Sequence, residues 1–171
     1  QSRGMVFFGS DGTLLRQLSL KGRSGGSRVD SRGQIYVIEF VLAGDNPRYA
    51  TKKLRTDGTD LATISETPAP AVKGGMGGSK VQAFVPFPII LIDRDDRLIY
   101  GYPETYDIQF YGPADAKALR RISRKYDPVA VTEEEKERIR QAGMKIDYVF
   151  PKDHSAYKRF FLSDLGHLFV Q

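Results

Sequence analysis

The stretch Val29-Asp30-Ser31-Arg32-Gly33-Gln34-Ile35-Tyr36-Val37 decides the fold, because variants of it return at Ile92-Asp93-Arg94-Asp95-Asp96-Arg97-Leu98-Ile99-Tyr100 and at Leu162-Ser163-Asp164-Leu165-Gly166-His167-Leu168-Phe169-Val170. In each, an apolar strand end meets a polar turn of Asp, Ser or Gly, residues that tolerate the backbone angles of a tight reversal, and a second strand with apolar residues leaves it. A second hairpin type recurs as well. Met5-Val6-Phe7-Phe8 leads through Asp11-Gly12 into Leu14 to Leu20, Lys53 to Ile64 repeats this around Asp57-Gly58, and Ile108 to Ile122 repeats it with a longer turn at Pro113 to Lys117.

The two hairpin types alternate along the chain. Joined in series they make a four-stranded antiparallel meander, the blade of a β-propeller. Successive first-type turns begin at Asp30, Asp93 and Ser163, 63 and 70 residues apart, against roughly 40–50 for compact propeller repeats, so the blades carry insertions. Ala43 to Arg48 reads as a loop between middle strands. Glu66 to Pro70 and Lys73 to Lys80 read as a Pro-rich then Gly-rich connector. The third insertion is helical: Thr132 caps it, Glu135 completes a capping box and Gly143 stops it. Val131, Ile139 and Ala142 are its only apolar members, so the helix is expected on the surface.

Composition fits a folded, strand-rich body: 40% hydrophobic and 11% aromatic, with 17 Gly and 9 Pro to supply turns. The apolar run from Val81 to Ile92 is interrupted by Pro86 and Pro88 and falls short of the ~20 residues of a membrane helix. The net charge of +5 is spread, at +4 over residues 1–60, +2 over 61–126 and −1 over 127–171, which argues against the clustered basic face of a nucleic-acid binder. Without cysteine there is no disulfide framework, thiolate metal site or cysteine nucleophile.

The repeats, the Asp-Gly-Thr-x-Leu turn, the segments Asp127-Pro128-Val129 and Thr132 to Lys136, and the closing Phe160 to Val170 resemble bacterial six-bladed β-propeller proteins of the NHL-repeat type. Asp96 departs from the turn Gly of that pattern, and Ser163 from its Asp. The expected fold is all-β: residues 1–22 end one blade, 27–65 and 81–125 form two full blades, 131–143 hold a helical insertion near 132–142, and 145–171 begin another blade. Two full and two partial blades do not complete a six-bladed ring. The count predicts a partial chain of a longer protein, or closure by a partner.

Functional motifs are sparse. Gly74 to Lys80 lacks the Gly-Lys-Ser/Thr order of a phosphate loop and precedes a Pro-interrupted strand, so it reads as a connector. Asp93-Arg94-Asp95-Asp96 has the carboxylate density of a calcium loop without its Gly or distant Glu, and it coincides with a repeat turn. His154 beside Ser155 reads as a loop histidine, because adjacency does not make a triad, and His167 occupies a variable strand position. Arg120, Arg121, Arg124 and Lys125 form the densest basic run, divided between two faces if residues 118–122 are a strand. Tyr100, Tyr102 and Tyr106, around Gly101 and Pro103, are the candidate ligand-binding residues, as an aromatic surface for a sugar or peptide, although aromatics in such repeats chiefly fill cores.

No catalytic residue, metal site or cofactor is assigned. The resemblance implies a non-catalytic binding or scaffold module, exported to the periplasm or beyond the cell, that recognises a protein, peptide or carbohydrate through loops at one end of the ring. The alternatives it implies are a lactonase- or lyase-like propeller enzyme with a metal in the central channel, for which Asn46 is the only asparagine, and a nucleic-acid-binding propeller.

Overall fold

The structure, a computed structural model, describes residues 4–19, 23–42, 46–70, 80–114, 116–142 and 147–171. It is all-β with one short helix. Strands β1 (Gly4–Phe8) and β2 (Leu14–Ser19) form a hairpin. Strands β3 (Arg23–Val29), β4 (Ile35–Val41), β5 (Arg48–Leu54) and β6 (Asp60–Pro68) form a four-stranded antiparallel meander. A second meander follows from β8 (Ile89–Ile92), β9 (Leu98–Gly101), β10 (Asp107–Tyr111) and β11 (Ala118–Ser123), and β13 (Phe160–Leu162) pairs with β14 (Leu168–Val170) in a closing hairpin.

The repeat turns close with the same bonds each time. At the first type, Asp30 N–H donates to Gln34 O and Gly33 N–H to Asp30 O, and the pattern recurs at Asp93 to Arg97 and at Ser163 to His167. The carboxylate at the head of the turn accepts two further amides: Asp30 Oδ1 from Arg32 and Gln34, Asp93 Oδ1 from Asp95 and Arg97, all at 2.8–3.0 Å. Ser163 Oγ makes one such bond, from His167 N–H at 3.1 Å, so serine serves this position with a single acceptor. The second type, at Gly9 to Thr13 and Arg55 to Thr59, closes with the same two backbone bonds and differs in its side-chain acceptor: the third turn residue, Asp11 or Asp57, accepts from the amide two residues on.

Asp96 holds the left-handed conformation (φ 58°) that Gly33 and Gly166 adopt without steric cost. Its carboxylate explains the departure from glycine. It accepts from Ser31 N–H at 2.8 Å and from the Ser31 hydroxyl, and lies 3.8 Å from the Arg32 guanidinium. The turn of the second sheet is thereby tied to the turn of the first, and those two bonds hold the Asp96 carboxyl below its usual range.

The sheets stack face to face in chain order. Ile35, Val37 and Leu54 pack against Met5, Phe7 and Leu18 of the first hairpin. Tyr36 and Ile38 point the other way, into a cluster with Ile90, Leu98, Tyr100 and Tyr111 of the second sheet. The far face of that sheet, Ile99, Ile108 and Phe110, meets Tyr157 and Phe160 at the closing hairpin. Both faces of β4 and β9 are therefore buried, which is why Ile35 to Glu39 and Leu98 to Gly101 are buried without alternation. The described residues form no closed barrel or ring.

The first meander runs from Arg23 to Pro68, a few residues beyond the expected 27–65, and two boundaries differ more. The second sheet begins at Ile89, not Val81, because Pro86 and Pro88 lack the N–H groups a ladder needs. Val81 lies instead in β7 (Lys80–Gln82), paired in parallel with β12 (Asp147–Val149), so the stretch expected to begin the last blade at 145 supplies a side sheet and the blade-like hairpin starts at Phe160. Helix α1 (Glu133–Ala142) forms where the capping box places it, with no buried residue. Thr132 N–H donates to Glu135 Oε2 at 2.9 Å and Glu135 N–H to Thr132 Oγ1 at 3.2 Å. The expected helix stop at Gly143 and most of the Gly-rich connector lie outside the described residues. No helix among them is long and apolar enough to cross a membrane.

Candidate functional site

Strand direction divides the molecule into two ends. Pairings of Ile89 and Ile108 with Gly101, and of Asp107 with Ser123, put one set of strand termini together, and the Asp-rich turns lie at the opposite end. The two meanders are aligned the same way: their turns meet through Ser31 and Asp96, and at the other end Tyr102 OH donates to Pro68 O at 3.0 Å. All the long connections emerge at this second end, the loop end.

There the connector leading into β8, the β9–β10 turn and the segment leading into β13 enclose a cleft of about 660 Å³. Its walls are Phe84, Pro86, Phe87, Ile89, Pro103 and Val129, and Glu135, His154, Ser155, Lys158 and Gln171 supply its polar groups. Phe84 has φ 53°, an outlier for a bulky residue and of the kind concentrated at binding sites. Its ring stands edge-on to His154, centroids 4.9 Å apart, and beside Phe150 at 6.3 Å. The lining is apolar with few convergent polar groups, as ligand pockets are.

His154 is more than a loop residue. Its Nε2 lies 3.1 Å from both carboxylate oxygens of Glu135, and its backbone N–H donates to Val129 O at 2.8 Å. Glu135 thus serves the helix cap and the cleft together. The Thr132 amide, then the His154 imidazole, then the Thr132 hydroxyl hold its carboxyl down at about 2. Arg140 of the same helix lies over the Phe150 ring, 5.3 Å from its centroid. The Glu135–His154 pair joins residues 19 apart, a link that a capping-box glutamate did not announce in the sequence. No hydrogen bond joins the His154 ring to the Ser155 hydroxyl among the described residues, so the dyad has no nucleophile attached.

Because the folded Glu135 carboxyl titrates below its ordinary 4.5, its stabilising contribution is complete above the unfolded value and is lost as pH falls from about 4.5 toward 2. Urea titrations of wild type and Glu135→Gln are expected to show a stability difference at pH 5 that shrinks as pH falls and is gone below about pH 2. A difference that did not change across this window would show that the ionised carboxylate is not what fastens the helix.

The tyrosines expected to form an aromatic surface are not brought together as one. Tyr100, only 4% exposed, belongs to the cluster between the two meanders, where the Ser65 hydroxyl donates to its oxygen at 3.1 Å. Tyr102 packs against that same cluster, and Tyr106 stands edge-on to Tyr157 in the next one. Tyr100 and Tyr102 thus share one inter-sheet cluster, and Tyr106 joins the other. Of the other sequence candidates, Arg120 lies over the Phe110 ring and Arg121 pairs with Asp107, on opposite faces of an exposed edge strand. His167 is exposed. Among the described residues no three His, Asp or Glu side chains converge as metal ligands.

The cleft escaped sequence reading because its walls come from several segments far apart in the chain. The Pro-rich run Phe84 to Pro88, a strand that could not pair, was the one available sign. No protein-family model, curated protein or solved structure matches this chain.

Proposed function

We propose that the stacked meanders are blades of a six-bladed, NHL-type β-propeller and that the chain is a non-catalytic binding module, taking an extended protein segment with bulky apolar side chains into the loop-end cleft. The observation that carries this reading is the cleft itself: about 660 Å³ of mainly aromatic, proline and aliphatic wall at the end where the long connections gather. Such walls suit apolar side chains, and the rim groups of Ser155, Lys158 and Gln171 suit the peptide backbone and an acidic neighbour.

Selection of phage-displayed random peptides on the purified protein tests the proposal. Enriched peptides are expected to carry two or more bulky apolar residues. Val129, 66% exposed on the cleft wall, can take a carboxylate without disturbing the core, and Val129→Asp is expected to weaken the selected peptides by about tenfold or more through the cost of burying a charge. Failure to enrich any peptide, or binding indifferent to Val129→Asp, overturns this reading.

A further inference from the structure

The densest basic run of the sequence divides in two once the chain is folded. Arg121 pairs with Asp107 and Arg120 lies over the Phe110 ring, so both are engaged within their own sheet. Arg124 and Lys125 lie just past the end of β11, and their side chains make no hydrogen bond or ion pair among the described residues. With Tyr106, Asp127 and Ser155 they line a second pocket, of about 400 Å³. This pocket adjoins the apolar cleft, because Val129, Ser155 and Ala156 line both.

The frame of the pocket is fastened to the β9–β10 turn from two sides. Arg124 N–H donates to Tyr106 O at 3.1 Å and Ala156 N–H to Pro103 O at 2.7 Å, and Tyr126 OH donates to Glu104 O at 3.2 Å. Within that frame the donors are spare. The half-buried Tyr106 and Ser155 hydroxyls, like the Arg124 guanidinium and the Lys125 ammonium, have no partner among the described residues. An acceptor brought into the pocket would therefore meet four donors, two of them charged. Asp127 is the one carboxylate of the described lining, and it offsets one of the two positive charges.

Building on the binding reading above, we propose that this pocket takes the carboxylate of an Asp or Glu belonging to the same segment whose bulky apolar side chains enter the cleft. The ligand is then an extended segment with an acid beside its apolar residues. The ridge shared by the two pockets keeps both kinds of side chain close along the ligand, since an extended chain advances only about 3.3 Å per residue. Arg124 and Lys125 supply charge-assisted hydrogen bonds, the stronger kind. Their single excess positive charge over Asp127 matches one carboxylate better than a doubly charged phosphate.

Random peptides enriched on the purified protein are expected to carry Asp or Glu within about three residues of their apolar pair. Fluorescence anisotropy on one such peptide then tests the pocket. Val129→Asp would bring a carboxylate to both pockets, so changes in the peptide are used to separate them. Exchanging the acid for its amide is expected to weaken binding about five- to tenfold, and Arg124→Gln with Lys125→Gln to do the same. Both cations are exposed and hold no contact that the fold needs. Combined, the two changes should weaken binding no more than either alone, as removal of one shared contact requires. Enriched peptides without an acid, full additivity of the two changes, or tighter binding when phosphoserine replaces the acid overturns the proposal. If alanine in place of the apolar residues changes nothing while the amide exchange weakens binding, the reading of the cleft fails and the carboxylate site remains. The reverse result sinks the carboxylate site alone, and a library that enriches nothing overturns both.

Discussion

Ile99→Ala is expected to destabilise the protein by about 3 kcal/mol, in the middle of the range for emptying a fully buried aliphatic site. Ile99 is wholly buried on β9, a central strand bonded on both sides by β8 and β10, so the backbone cannot easily collapse into the space left. Its side chain faces Ile108, Phe110, Tyr157 and Phe160, and this cluster joins the second meander to the closing hairpin. Urea unfolding should show a lower midpoint with an unchanged slope. A loss below about 1 kcal/mol would mean that the hairpin does not dock as described, since a cavity of this kind costs that little only where the site can close.

Gly101→Ala tests the same junction by crowding it. A Cβ on Gly101 would overlap the Tyr157 hydroxyl and lie 2.8 Å from Phe160 Cε1. Both rings are buried and have little room to retreat, so the expected cost is about 1–3 kcal/mol. The variant has a second readout. Burial first, and the neighbouring Tyr100 and Asp107 charges after it, push the Tyr157 phenol well above its ordinary 10. In Gly101→Ala the displaced ring should ionise closer to that ordinary value, which an ultraviolet alkaline titration measures. An unchanged titration together with unchanged stability would remove Gly101 as the point of close approach between sheet and hairpin.

Much of the architecture is legible residue by residue. Asp30, Asp93 and Asp57 announce their turns because the chemistry is local: a carboxylate two to four residues from the amides it accepts needs no distant partner. The capping box of Thr132 and Glu135 is local in the same sense. Asp96 is the instructive departure. In sequence it looks like a poorer turn residue, and only the approach of Ser31 from 65 residues away shows what its carboxylate does. The β7–β12 pairing was hidden for a related reason, since two three-residue strands carry too little pattern to identify a parallel partner 67 positions distant.

Sequence by itself determined what depends on short range: the all-β class, the alternation of two hairpin types, the meander order and the surface helix. Hydrogen bonds within a turn and the two-residue period of a strand are set by neighbours. Tertiary structure decided which faces are shared. Tyr100 and Tyr102 became packing residues because a second sheet lies against them. His154 became half of a pair because α1 brings Glu135 within 3.1 Å, and the cleft arose where segments distant in sequence meet. Those outcomes depend on where sheets stop and stack, and no short window of residues holds that information.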